Sequence, residues 1–169
     1  YAHFINKFSG NVGILTIDTF GFFDTGQSII FGKLPIRDYW IFTGFVVDYL
    51  EALFLLIFGN NWSSHILHAS FINIIASLSF YYFLKKNELN NKISFFYTLC
   101  FATLCYPVSG TPFAYLHAFV FSLILLMVFY FALRTGKNKL WFALPFIGLF
   151  AFLSMQTPSS YIIFLIIVF

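Results

Sequence analysis

Two carboxylates, Asp24 and Asp38, bracket a short polar stretch, Asp24-Thr-Gly-Gln-Ser-Ile-Ile-Phe-Gly-Lys-Leu-Pro-Ile-Arg-Asp38-Tyr-Trp, in an otherwise strongly apolar chain. The chain has six Asp and Glu residues among 169. Three of them, Asp18, Asp24 and Asp38, fall in or just before this stretch. A carboxylate at a membrane surface beside a helix bundle can take a proton from an acceptor hydroxyl or orient a cation. Asp24 is placed to be such a base. Lys33 and Arg37 are the nearest cations and could meet phosphate oxygens, Arg37 in bidentate fashion. The stretch also reads as a solvated loop, in which Lys33 and Arg37 face water or lipid headgroups.

The elements that must position these residues are membrane helices. Hydrophobic residues make up 60 % of the chain and charged residues 9 %, and Phe alone occurs 27 times. A soluble domain carries roughly 25 % charged residues, so the composition implies an all-α, polytopic transmembrane bundle. The net charge of +3 bears on topology, and no basic cluster is dense enough for nucleic acid. Cys100 and Cys105 lie about 140° apart on one apolar helix and read as packing residues, with neither a disulfide nor a CxxC motif.

Hydropathy places spans at about 66–84, 93–108, 113–133 and 140–154, and a truncated one at 161–169. The breaks between them are Lys85–Lys92, Ser109-Gly-Thr-Pro112, Arg134–Lys139 and Gln156-Thr-Pro-Ser-Ser160. The two basic loops hold six of the nine Lys and Arg residues and are separated by two spans, so both belong on the cytoplasmic side. The turns near Asn61, Gly110 and Pro158 then face outward. The start at Tyr1 and the stop within an apolar run suggest a fragment of a longer protein.

Residues 1–65 read as an extracytoplasmic loop carrying a helix at about 41–58. Gly44, Asp48 and Glu51 share one face of that helix, and two carboxylates crossing lipid are expensive. A helix lying in the interface with its acidic face toward water or a cavity avoids that cost. The alternative is a true span whose acidic stripe faces the bundle interior. His65 and His68, spaced i, i+3, could share a metal. With no third ligand fixed by sequence they read as interfacial polar residues, and no metal site is assigned. Trp40, Trp62 and Trp141 read as interface anchors, and Asn60-Asn-Trp-Ser-Ser64 as a turn with a helix cap.

The order Asp24-Thr-Gly, Gly32-Lys-Leu-Pro-Ile-Arg-Asp38-Tyr-Trp, Thr43-Gly44 and Leu55-Leu-Ile-Phe-Gly59 resembles the start of the GT-C type, polyprenyl-phosphate-dependent membrane glycosyltransferases. These include the protein mannosyltransferase and aminoarabinose transferase relatives. Phe152-Leu-Ser-Met-Gln-Thr-Pro-Ser-Ser160 resembles that family's break at a helix end. The likeness covers roughly residues 15–165. It implies a first external loop with interfacial helices and a catalytic acid at Asp24, with Asp38 as a second catalytic position. It implies Lys33, Arg37 and Gln156 as substrate-binding residues, and a first transmembrane helix ahead of Tyr1. The donor would be a sugar on a polyprenyl phosphate, and the acceptor a lipid, protein or glycan hydroxyl on the outer face of a bacterial inner membrane. No cofactor is implied, and a divalent cation stays open. The rival reading is a transporter or flippase for lipid-linked sugars, with Asp48 and Glu51 as intramembrane coupling acids.

Overall fold

A segment that leaves water must satisfy its own backbone N–H and C=O groups, and an α-helix does so within one stretch of chain. In the computed structural model every regular element among the described residues is a helix. These residues are 1–12, 16–41, 43–106 and 109–169, without the side chains of 16–18. In order the helices are α1 (Ala2–Val12), α2 (Thr16–Ile30), α3 (Val46–Phe58), α4 (Trp62–Lys86), α5 (Asn91–Leu104), α6 (Ala114–Thr135), α7 (Asn138–Ser154) and α8 (Gln156–Val168).

Two of them, α4 with 25 residues and α6 with 22, are long and apolar enough to cross a membrane. The segment expected to cross at 93–108 overlaps α5, which has 14 residues and runs from Asn91 to Leu104. At 1.5 Å per residue that is about 21 Å, short of a hydrocarbon core of about 30 Å. Helix α7 has 17 residues and α8 has 13. Thr157 inside α8 is extended (ψ 110°), so the break expected at Gln156–Ser160 is a kink.

The region 1–65, read as an external loop with one helix at about 41–58, carries α3 at Val46–Phe58 and two further helices, α1 and α2. Hydropathy hides α1 because its buried positions are Asn6 and Gly10 rather than apolar residues. The Asn6 amide donates to the Gly110 carbonyl at 2.9 Å. A Cβ on Gly10 would come within 2.7 Å of that same oxygen. The face is thus chosen for close approach and hydrogen bonding, and a search for apolar periodicity misses it.

The chain divides into two units. One comprises residues 1–41 and 47–113, and in it α4 packs against α1 and α5. Asn61 caps α4 by accepting a hydrogen bond from the Ser64 N–H at 3.1 Å, as its place before Trp-Ser-Ser predicts. The other comprises residues 42–46 and 114–169, where α6, α7 and α8 pack on Leu125, Phe129 and Leu144. Gly44 belongs to this second unit. Its N–H donates to the Ser154 carbonyl at 3.1 Å, and a Cβ on Gly44 would collide with the backbone carbonyl of Leu153. Backbone cannot yield as a side chain can. Gly44→Ala should therefore lower stability by about 1–3 kcal/mol, read as a lower unfolding midpoint of the detergent-solubilised chain. An unchanged midpoint would contradict this packing.

Candidate functional site

Thr25, Tyr39, His65 and His68 of the first unit converge on two acids of α3. Asp48 in its first turn and Glu51 one turn later share a face, and both are buried. Glu51 is bound by two imidazoles. The Nδ1 of His65 lies 2.7 Å from Oε1, and the Nδ1 of His68 lies 2.7 Å from Oε2. All three side chains are fully buried. A carboxylate can only accept, so each ring presents Nδ1–H to it. Burial alone would push the Glu51 carboxyl up, but the two imidazole donors outweigh it and hold the carboxyl below its ordinary value.

Aromatic rings enclose the cluster. Phe54 stacks on His68 with centroids 5.0 Å apart, and Phe23 meets His65 edge-on at 5.4 Å. Gly26 on α2 opens the space for Glu51, since a Cβ there would come 2.5 Å from Glu51 Cγ. The Nε2 of His65 is buried without a hydrogen-bond partner among the described residues.

Asp48 forms a second cluster. Its Oδ1 accepts from the Thr25 hydroxyl at 2.8 Å, and its Oδ2 lies 3.4 Å from the Tyr39 hydroxyl. Burial pushes its pKa up to about 6, against the opposing Thr25 and Tyr39 hydrogen bonds and with a further push from the Glu51 charge. Burial, with help from the neighbouring Asp48 charge, likewise raises the Tyr39 phenol.

Of the site residues expected from sequence, Asp24 lies on helix α2 rather than in a loop. It is exposed and makes no hydrogen bond or ion pair among the described residues. Asp38 instead organises a turn. It accepts from the Leu34 N–H at 2.7 Å and pairs with the Arg37 guanidinium at 2.6 Å. The Arg37 bond, then the Leu34 bond, lower its carboxyl to about 2. Arg37 and Asp38 are thus brought together, and Lys33 lies close enough to add to the lowering. Gln156 opens α8 in the other unit and is exposed. Among the described residues, no group of three or more His, Cys, Asp or Glu side chains is arranged to hold a metal ion.

The Glu51 cluster is the feature that sequence reasoning missed. The signal was present as two facts kept apart. Acids at 48 and 51 share one helical face, and histidines at 65 and 68 share one face of the next helix, after a turn of only residues 59–61. No family model, no curated protein and no solved structure matches this chain.

Two outcomes are expected. Glu51→Gln keeps the volume but turns an amide NH₂ toward one imidazole, and should cost about 1–3 kcal/mol in chemical unfolding of the solubilised chain. Normal stability would remove the cluster from the fold's support. Asp48 binds its proton more tightly folded than unfolded, because its pKa rises from 3.8 to about 6. Its contribution is therefore complete below 3.8 and is lost as pH rises through about 6. Asp48→Asn should flatten the fall in unfolding midpoint across that window, and an unaltered profile would refute the shift.

Proposed function

We propose that this chain belongs to a multi-pass membrane glycosyltransferase that moves a sugar from a polyprenyl phosphate to an acceptor hydroxyl on the outer face. The observation that supports this reading is the division of roles among the carboxylates around α2 and α3. Asp38, Asp48 and Glu51 all have hydrogen-bond partners, while Asp24 is exposed and unengaged among the described residues. A general base needs an accessible carboxylate on a rigid support. The next two residues supply the support, since Thr25 bonds Asp48 and Gly26 packs on Glu51.

In the reaction the acceptor oxygen attacks the anomeric carbon and gives its proton to Asp24. The bond from that carbon to the phosphate oxygen breaks, and the phosphate keeps the electron pair. Lys33 and the exposed Arg37, on the loop that follows α2, would supply the cations for that leaving charge. Asp38 holds the turn that carries them.

The transport alternative needs Asp48 and Glu51 inside a spanning helix. Helix α3 has 13 residues, about 20 Å, which favours an interfacial position. An extracytoplasmic placement of Asp24 and Asp38, in a bacterial inner membrane, is part of this proposal, and the basic last turn of α4, Lys85 and Lys86, supports it.

Asp24→Asn should slow sugar transfer in proteoliposomes by about 10²–10⁴-fold without lowering the unfolding midpoint. Near-normal transfer by this variant from a polyprenyl-phosphate sugar would take Asp24 out of the mechanism. Potential-driven flux of the lipid-linked sugar, without transfer, would replace the enzyme by the transporter.

A further inference from the structure

The loop at 31–40, between α2 and α3, combines features that a solvated loop does not need. Phe31 and Ile36 are exposed to 76 % and 75 %, Trp40 to 80 %, and Leu34 is also exposed. Ile36 holds its place at φ +71°, a conformation that β-branched residues avoid. A glycine would be the relaxed choice there if the side chain had no task. Lys33 and Arg37 stand among these apolar groups, and the nearby carboxylate, Asp38, is taken up by Arg37 and the Leu34 N–H.

Part of the loop's backbone is satisfied internally. The N–H groups of Lys33, Leu34, Ile36 and Asp38 all have partners within the loop or at the end of α2. Irregular backbone near hydrocarbon is tolerated only when its polar groups are satisfied internally.

We propose that the loop docks onto the surface of a lipid bilayer. Phe31, Leu34, Ile36 and Trp40 enter the interfacial layer, and Lys33 and Arg37 face the phosphates of anionic headgroups. Trp prefers that layer, and basic side chains beside apolar ones draw a segment to anionic lipid. Helices α4 and α6 in the same chain are long enough to cross the bilayer that would present this surface. The inference is independent of whether the chain transfers a sugar.

The test uses the full chain in nanodiscs with Trp62→Phe and Trp141→Phe, so that Trp40 is the only indole. The lipids are phosphatidylcholine brominated at a shallow or a deep acyl position, with or without phosphatidylglycerol. Trp40 emission should be quenched more by the shallow bromine than by the deep one, and should be protected from aqueous iodide. Ile36→Gly should reduce the lipid quenching without lowering the unfolding midpoint. Lys33→Gln with Arg37→Gln should abolish any gain in quenching from phosphatidylglycerol. Full access of iodide to Trp40 would overturn the proposal. So would protection from iodide without quenching by either bromine, which would assign the loop to another protein surface. A chain that fails to associate with the bilayer overturns it equally.

Discussion

The carboxylate of Glu51, shared between His65 and His68, is the contact on which the first unit's arrangement depends. A buried ionised group is tolerated only when its charge and its lone pairs are both answered. Two N–H donors at 2.7 Å answer both oxygens. The requirement then spreads outward. Position 26 must be glycine-sized so that α2 can approach, and Phe54 and Phe23 must keep water from the rings. The turn at 59–61 must bring the first turns of α4 to α3. Removing one partner of such a buried hydrogen bond typically costs about 1–3 kcal/mol, because the survivor is left buried and unsatisfied.

From this contact the other acids take their roles. Asp48 lies one turn before Glu51 on the same face, held by Thr25 and Tyr39. Two carboxylates so close disfavour each other's charge, which adds to the desolvation that raises Asp48. Asp24 lies on α2 one residue before Thr25 yet is exposed. The buried network thus holds a helix that carries an exposed acid beside it.

The loop after α2 shows the same economy in a smaller space. Asp38 spends its charge on Arg37 and on the Leu34 N–H, and the Ile36 N–H bonds the Tyr39 carbonyl. The turn closes on itself, so its large apolar side chains face outward without leaving those backbone donors unmet.

Several properties were legible in the sequence alone because they depend on neighbours along the chain. Composition determined the all-helical, apolar class, and the long apolar runs at 66–84 and 113–133 determined the two long helices. Asn61 before Trp-Ser-Ser marked a cap, and Gln156-Thr-Pro marked a break, since a cap and a breaker act within a single turn of backbone. Other properties were decided only by tertiary structure. Helix α1 is buried through Asn6 and Gly10, so its packing rests on a distant carbonyl, Gly110, that no local pattern announces. Asp24 and Asp38 looked alike as loop acids, yet one is open and the other is engaged in a turn. Glu51, His65 and His68 read as separate polar residues on two faces. Their meeting required the packing of α3 on α4, and whether a polar side chain is solvated, paired or buried depends on what lies across from it in space rather than beside it in the chain.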